Sequence, residues 1–195
     1  MLVSMDLSSW YRRLFAPAQQ PEQAASQSAA DDGDAETQFA LGLKYSSGDE
    51  ASQDLPQAVR WYRKAADQDH ALAQFNLGLM LADGQGTPQD DTAALIWIRK
   101  AAEGGDPGAQ FSLGVRFHRS SVHHLQMDSA ESRIEAYKWF HLAAGQGYKG
   151  SEAARERVIL AMSREEVTDG NQRAAVFAIR KPLHSQDDSS STQPA

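Results

Sequence analysis

Four histidines between residues 118 and 141 are the side chains best suited to bind a metal ion. His118, His123 and His124 follow one another at steps of 5 and 1, whereas two imidazoles share one helical face when they lie four residues apart. The chain has no cysteine that could complete a ligand set with His141. This spacing predicts a solvated loop, and we predict no metal site.

The acidic run Asp83-Gly84-Gln85-Gly86, which ends in Asp90-Asp91, resembles a calcium loop only superficially. It lacks ligands at alternate positions and a closing bidentate glutamate, so it predicts an interhelix turn. The sequence also has no glycine-rich phosphate loop, and its serine, histidine and carboxylate residues do not follow the pattern of a catalytic triad. We predict no catalytic residues and no cofactor, and keep a hydrolase with an unrecognised site as an alternative.

The segments that would position any site repeat along the chain. The motif Gln-Phe-x-Leu-Gly begins at Gln38, Gln74 and Gln110, so its step is 36 residues both times. Without gaps, 15 of the 36 residues in 35–70 are identical in 71–106. A period of this length indicates stacked supersecondary units. We therefore predict an all-α protein, an α-solenoid of three helix-turn-helix repeats with a C-terminal helical cap.

The first helix of each unit is predicted over residues 35–46, 71–82 and 108–118. Its apolar face carries a glycine in every unit, although glycine inside a helix costs about 1 kcal/mol relative to alanine. Three such glycines in register predict a neighbouring helix that passes too close for a side chain. They are Gly42, Gly78 and Gly114.

The second helices are predicted to begin near Asp54, Asp90 and Ser132, because these side chains can accept a free backbone N–H of the first turn. Ser132 and Glu135 also match the capping-box pattern. Trp97 and Trp139 are 42 residues apart, which places six inserted residues within His118–Glu131 and predicts an enlarged loop there.

Two further helices, over Lys149–Ala161 and Ser163–Arg180, are predicted to cap the stack. Ser163 and Glu166 again match the capping box, whereas Gly170 is unfavourable inside the last helix. The predicted segments are a flexible N-terminal part (1–34), three repeats (35–70, 71–106 and 107–148, together 35–148), capping helices (149–181) and a disordered tail (182–195).

The repeated residues resemble those of the Sel-1-like repeat family, a relative of the tetratricopeptide repeats. In the second unit they are Leu77-Gly78, Leu81, Ala94, Trp97 and Lys100-Ala101-Ala102. The resemblance covers residues 35–148, although the family's G-x-G loop is present only as Gly84-x-Gly86. It implies a non-enzymatic adaptor, often bacterial, that brings other proteins together.

The amino-acid composition indicates which classes of partner and which cellular compartment are favoured. The net charge of −7 disfavours nucleic acid as a partner. Residues 107–181 are nevertheless basic, with 11 basic and 8 acidic side chains. No apolar run is long enough for a membrane span, and the N-terminus lacks a convincing signal peptide. We expect a cytoplasmic protein.

One face of the first helices is the predicted contact surface. The resemblance to tetratricopeptide repeats implies that this face lines a concave groove for a partner segment, while the alternative is that its phenylalanines pack against the next repeat. The apolar positions of this face carry none of the lysine, arginine or asparagine residues with which some tetratricopeptide repeats clamp a C-terminal carboxylate. The predicted partner-binding residues are Phe75, Leu79, Phe111, Val115 and Arg116, with the His118–Glu131 insertion as a second candidate.

Upstream of the repeats, Val3, Leu7, Trp10 and Leu14 recur at steps of 4, 3 and 4. That spacing predicts a short amphipathic helix within residues 2–15. It would cap the first repeat, dock on a partner, or anchor a membrane-surface adaptor.

Overall fold

The computed structural model describes residues 33–48, 53–123 and 129–180, and within these ranges it contains helices and no strand. The N-terminal amphipathic stretch and the C-terminal tail lie outside the described residues. The helices are α1 Ala35–Ser46, α2 Leu55–Asp67, α3 Ala71–Asp83, α4 Asp91–Glu103, α5 Pro107–His123, α6 Ser129–Gly145, α7 Ser151–Ile159 and α8 Arg164–Arg180.

The helices stack in pairs, as the repeat predicts. Helix α1 packs on α2, α3 on α4 and α5 on α6, and each second helix also packs on the first helix of the following unit. At the C-terminal end, α7 and α8 both pack on α6. The predicted α-solenoid of three helix pairs with a helical cap is therefore confirmed.

Each first helix begins at a capping side chain, and the three caps are 36 residues apart. Asp34 Oδ1 accepts the Thr37 amide at 2.8 Å, and Asp106 Oδ1 accepts the Ala109 amide at 2.7 Å. Burial raises the pKa of Asp106. Between them, His70 accepts the amide of Ala73 through Nδ1 at 3.2 Å, so an imidazole replaces a carboxylate at this position.

The aspartates predicted to start the second helices do so. Asp54 Oδ1 accepts the Gln57 amide at 3.0 Å, and Asp90 Oδ1 accepts the Ala93 amide at 2.9 Å. Pro56 lies in the first turn of α2, where its missing N–H would have no intrahelical partner.

The repeated glycines mark the closest helix crossings within the units. An added Cβ would collide with the facing second helix in every unit, which confirms the predicted close approach. The added Cβ would lie 2.5 Å from Tyr62 Cδ1 at Gly42, 2.7 Å from Ile98 Cγ1 at Gly78 and 2.6 Å from Phe140 Cδ1 at Gly114.

Buried glutamines connect consecutive units. Gln74 Nε2 donates to the carbonyl of Ala66 at 3.1 Å, and Gln110 Nε2 donates to the carbonyl of Ala102 at 3.2 Å. Gln74 and Gln110 are no more than 2% exposed, and each accepting carbonyl belongs to the last turn of the preceding second helix. The same side-chain hydrogen bond therefore stabilises both junctions between units, at positions one repeat apart.

The third unit accommodates its extra residues by lengthening both helices. Helices α5 and α6 have 17 residues each, against 13 in α3 and α4. The predicted loop within His118–Glu131 is therefore wrong for residues 119–123 and 129–131, which are helical. Residues 124–128 lie outside the described ranges.

The start predicted for α6 is also wrong. Ser132 lies inside the helix and is fully buried, and its hydroxyl has no hydrogen-bond partner in the described part of the chain. Its predicted capping partner, Glu135, instead contacts Lys138 at 2.7 Å and Arg173 at 3.1 Å. The helix begins earlier, at Ser129, and Glu131 in its first turn pairs with Arg173 of α8.

The last helix is held against α6 along its length. The predicted capping box forms, because the Ser163 amide donates to Glu166 Oε2 at 2.6 Å and the Glu166 amide to Ser163 Oγ at 3.2 Å. Gly170 does not break α8. An added Cβ there would lie 2.5 Å from Tyr137 Cδ1, so the glycine permits close packing on α6.

Candidate interaction surface

A first groove lies between α1, α2 and α3, with a volume of about 500 Å³. No described residue that lines it is charged. Its polar groups include the Ser46 and Tyr62 hydroxyls, which are hydrogen-bonded to each other at 2.8 Å. The lining residues are Leu43, Ser46, Gln53, Leu55, Tyr62, Asn76, Leu79, Met80 and Gln85.

A second groove, of about 400 Å³, lies between α3, α4 and α5. It combines an apolar wall with the charged side chains Asp91, Arg116 and Arg119. Within the described ranges, no carboxylate lies within ion-pair distance of either arginine. The lining residues are Ala82, Asp91, Ala94, Leu95, Ile98, Ser112, Leu113, Val115, Arg116, Arg119 and Ser120.

The two grooves are copies of one another at the repeat period. Six positions line both, each related by 36 residues, so the recess is a property of the repeated unit. The chemistry of the copies differs, because two of the six positions change from uncharged to charged. The pairs are Ser46/Ala82, Leu55/Asp91, Tyr62/Ile98, Asn76/Ser112, Leu79/Val115 and Met80/Arg116.

Three of the five predicted contact residues lie in these grooves. Leu79 lines the first groove and is 39% exposed. Val115 and Arg116 line the second, where Val115 is half-buried and Arg116 is exposed. Leu79 and Val115 have the same position on the helical wheel of successive first helices, and each lines a groove.

Phe75 and Phe111 lie outside both sets of lining residues. Phe75 packs at the junction between the second and third units, whereas Phe111 packs within the third unit. Phe75 is half-buried, and a Cβ added at Gly108, in the first turn of α5, would lie 2.8 Å from its ring. The half-buried ring of Phe111 lies 5.5 Å from that of Phe140 and 5.4 Å from that of Tyr148, centre to centre. The alternative, in which these rings pack against the next repeat, describes Phe75 but not the contacts of Phe111 with Phe140 and Tyr148.

The groove walls contributed by the second helices were missed in the sequence. Tyr62 of α2 and Ile98 of α4 each face a groove, although neither was among the predicted contact residues. Arg119 was missed as well, although its spacing of three from Arg116 places both side chains on one face of α5. This spacing in the sequence was sufficient to predict that Arg119 shares a face of α5 with Arg116.

Among the described residues, no three histidine, aspartate or glutamate side chains come together as a possible metal site. His118 lies on α5 and His141 on α6. Burial, together with nearby Arg157, lowers the pKa of His118. Burial and Arg155 likewise lower the pKa of His141. Both environments favour the neutral imidazole, and His124 lies outside the described residues.

The stacked helix pairs and their repeated grooves define a helical-repeat protein of the solenoid class. The Sel1 repeat family matches residues 35–70, 71–106 and 107–148, which is more than half of the chain. The chain belongs to the Sel1 repeat family. Proteins with this repeat generally act as scaffolds that bind other proteins, and the fold is typically non-catalytic.

Two solved structures of similar proteins have the same architecture. One is c5321, a protective antigen present in uropathogenic Escherichia coli strains that displays an SLR fold, with 28% identity over 91% of this chain and a TM-score of 0.64. The chain spans only 39% of that antigen's length. The other is a Sel1 repeat protein from Oxalobacter formigenes, with 33% identity and a TM-score of 0.57, covering 70% of this chain and 98% of the other.

No curated protein matches the chain. Within the residues described, none of the helices has both the length and the apolar character needed to cross a membrane.

Proposed function

We propose that this protein is a bacterial, non-catalytic scaffold that binds a segment of another protein across its two grooves, on the concave side of the solenoid. The observation that carries the proposal is the repetition of one recess at six equivalent positions, with Leu79 and Val115 at the same place in each. An extended or helical segment that crosses both recesses would use the same apolar contact twice.

The chemistry of the grooves indicates what the segment contains. Leu79 and Val115 would contact apolar side chains, and the amides of Asn76 and Gln85 would bond to the segment's backbone. Arg116 and Arg119, which have no carboxylate partner among the described residues, favour an acidic side chain over the second groove. We therefore propose an apolar segment with at least one acidic residue near one end.

The proposal extends to the setting in which the scaffold works. Both similar structures are of bacterial proteins, which supports a bacterial origin. A cytoplasmic location remains a prediction, which fractionation of the native cell would test.

A displayed library of random peptides, selected on the intact protein, tests the groove assignment. Selected peptides are expected to be apolar with an acidic residue. Their binding should be lost with the double variant Leu79→Glu, Val115→Glu. The matched control is Ile96→Glu, because Ile96 is 53% exposed on α4 but lines neither groove. Helicity of every variant is checked by circular dichroism.

The charge assignment has its own control. Arg116→Glu with Arg119→Glu should weaken binding of the acidic peptides, whereas Arg99→Glu, on the exposed part of α4, should not. Binding that is insensitive to Leu79, Val115 and both arginines would show that the grooves are not the contact surface.

A further inference from the structure

The first helix of the stack has an uncovered edge. Thr37 is exposed and Leu41 is half-buried. Their equivalents 36 and 72 residues later are at most 1% exposed, and the difference is therefore one of position in the stack. These equivalents are Ala73, Leu77, Ala109 and Leu113.

In the later units, the second helix of the preceding unit covers this edge. Ala73 and Leu77 of α3 belong to one buried cluster with Ala65 and Ala66 of α2. The same relationship joins α4 and α5 through Ala101, Ala102, Ala109 and Leu113. Helix α1 has no such helix before it in the described part of the chain.

The sequence upstream of α1 carries a motif that also occurs in the covering helices. Trp10-Tyr11-Arg12-Arg13 repeats the types of Trp61-Tyr62-Arg63-Lys64 in α2 and of Trp97-Ile98-Arg99-Lys100 in α4. In both of those helices the lysine lies over the tryptophan ring three residues before it, with Nζ to ring-centre distances of 5.0 and 4.5 Å. Arg13 has the same spacing from Trp10.

The residues that follow this motif also correspond. Leu14 and Phe15 occupy the positions of Ala65 and Ala66, which face the next first helix. Between Phe15 and the cap residue Asp34 lie residues 16–33. A flexible chain of that length spans about 20–25 Å on average, roughly twice the diameter of a helix. The segment can therefore reach the edge of α1.

We propose that residues 6–16 form a helix equivalent to the second helix of a repeat and dock on the exposed edge of α1. Leu14 and Phe15 then cover Thr37 and Leu41, as the alanine pairs of α2 and α4 cover their equivalents. The segment serves as the polar-faced cap that a stack of repeats requires at its end.

Because the chain lacks cysteine, a disulfide trap on the full-length protein tests this docking directly. Leu14→Cys combined with Thr37→Cys is expected to form a disulfide within the monomer under mild oxidation. The control pairs Leu14→Cys with Leu43→Cys, an exposed position on another face of α1 at a similar distance along the chain. Docking predicts that the first pair closes roughly tenfold faster or more, because it raises the local concentration of one thiol near the other. Equal rates would overturn the proposal.

Hydrogen exchange supplies a second readout that does not need a new covalent bond. Trp10→Ala should reduce protection of the α1 amides while leaving that of α5 and α6 unchanged. If protection of α1 does not change, the segment does not dock there. Binding of the intact protein, but not of Trp10→Ala, to vesicles of anionic phospholipid would likewise contradict the proposal and favour a membrane role.

Discussion

Gly114 lies directly against the ring of Phe140, so that a Cβ at residue 114 would be 2.6 Å from both Cδ1 and Cε1. Alanine has the higher helix propensity by about 1 kcal/mol, but the ring of Phe140 is almost fully buried and has little room to move. We expect Gly114→Ala to destabilise the protein, because overpacking of a filled core typically costs about 1–3 kcal/mol. Urea unfolding followed by circular dichroism would measure the change.

Gly145 is the matched control for this substitution. It is the last residue of α6, and nothing lies within 4 Å of the position a Cβ would take. Gly145→Ala should leave the urea midpoint unchanged or raise it slightly, since alanine reduces the freedom of the unfolded chain. If both alanine variants raise the midpoint, the close crossing does not explain the repeated glycine.

Replacement of Gln110 by methionine should weaken the junction between the second and third units. The substitution keeps the side chain's length but removes its bonds to the Ala102 carbonyl and to Gln146. We expect a loss of about 1–2 kcal/mol, because each bond contributes roughly 1 kcal/mol and Ala102 keeps its backbone partner Gly105.

Thermal unfolding of Gln110→Met and of Gln172→Met would separate the loss of the buried hydrogen bonds from the general effect of replacing glutamine by methionine. Gln172 is exposed, so its replacement removes no buried bond. Only the first should lower the midpoint. Because stability in a repeat stack depends on each interface, the transition of Gln110→Met should also broaden. A sharp, unshifted transition would exclude a role for the buried amide.

Glu166 should make stability depend on pH. Burial acts to raise its pKa, but the Ser163 amide and Arg133 outweigh that effect and hold the pKa below its usual value of 4.5. The folded state is therefore favoured at neutral pH, and this contribution is lost as the pH falls below 4.5 through the folded-state pKa.

The variant Glu166→Gln should accordingly be less stable than the parent at pH 7, and the difference should shrink as the pH falls towards 3. Chemical unfolding at several pH values would measure this difference, with Glu165→Gln, at an exposed neighbouring position, as the control. A difference that stays constant across this range would refute the assignment of the charge.

Arg173 contacts three carboxylates, two of which join α8 to α6. Its guanidinium contacts Glu131 and Glu135 of α6, and Asp169 on its own helix. The hydrogen bonds that Arg173 donates to Glu131 and Asp169 are the main cause of its raised pKa. We expect Arg173→Met to cost about 1–2 kcal/mol, since partly exposed charged bonds contribute less than buried ones.

The loss should appear first in α8. Hydrogen exchange should show faster exchange of the α8 amides in Arg173→Met than in Arg164→Met, which removes an exposed arginine from the same helix. High salt should narrow the gap in stability between the parent and Arg173→Met, because salt screens the charges of the parent. A gap that salt leaves unchanged would indicate packing rather than charge.

Local chemistry made most of the fold predictable. Asp54 and Asp90 were predicted as helix starts correctly, because a cap depends on the few residues that follow it. Ser132 was not predictable in this way. Glu131, in the first turn of α6, contacts Arg173, which lies 42 residues further along the chain, and no local pattern contains that contact.

The candidate surface was predictable only in part, for a similar reason. The period places Leu79 and Val115 on equivalent faces of two first helices. It does not say how closely the next helix approaches, and that distance determines whether Phe75 and Phe111 face solvent or a neighbour. The second wall of each groove, with Tyr62 or Ile98, follows from the crossing at Gly42 or Gly78.

The two grooves share one shape but differ in charge, and this difference gives the surface a polarity. A segment with its acidic residue at one end can place that residue beside Arg116 in only one of the two chain directions. Turned end for end, it would set the acid beside Met80 and leave the arginines unmatched. The protein would thus discriminate between a sequence and its reversal, and hold whatever follows the bound segment on a fixed side.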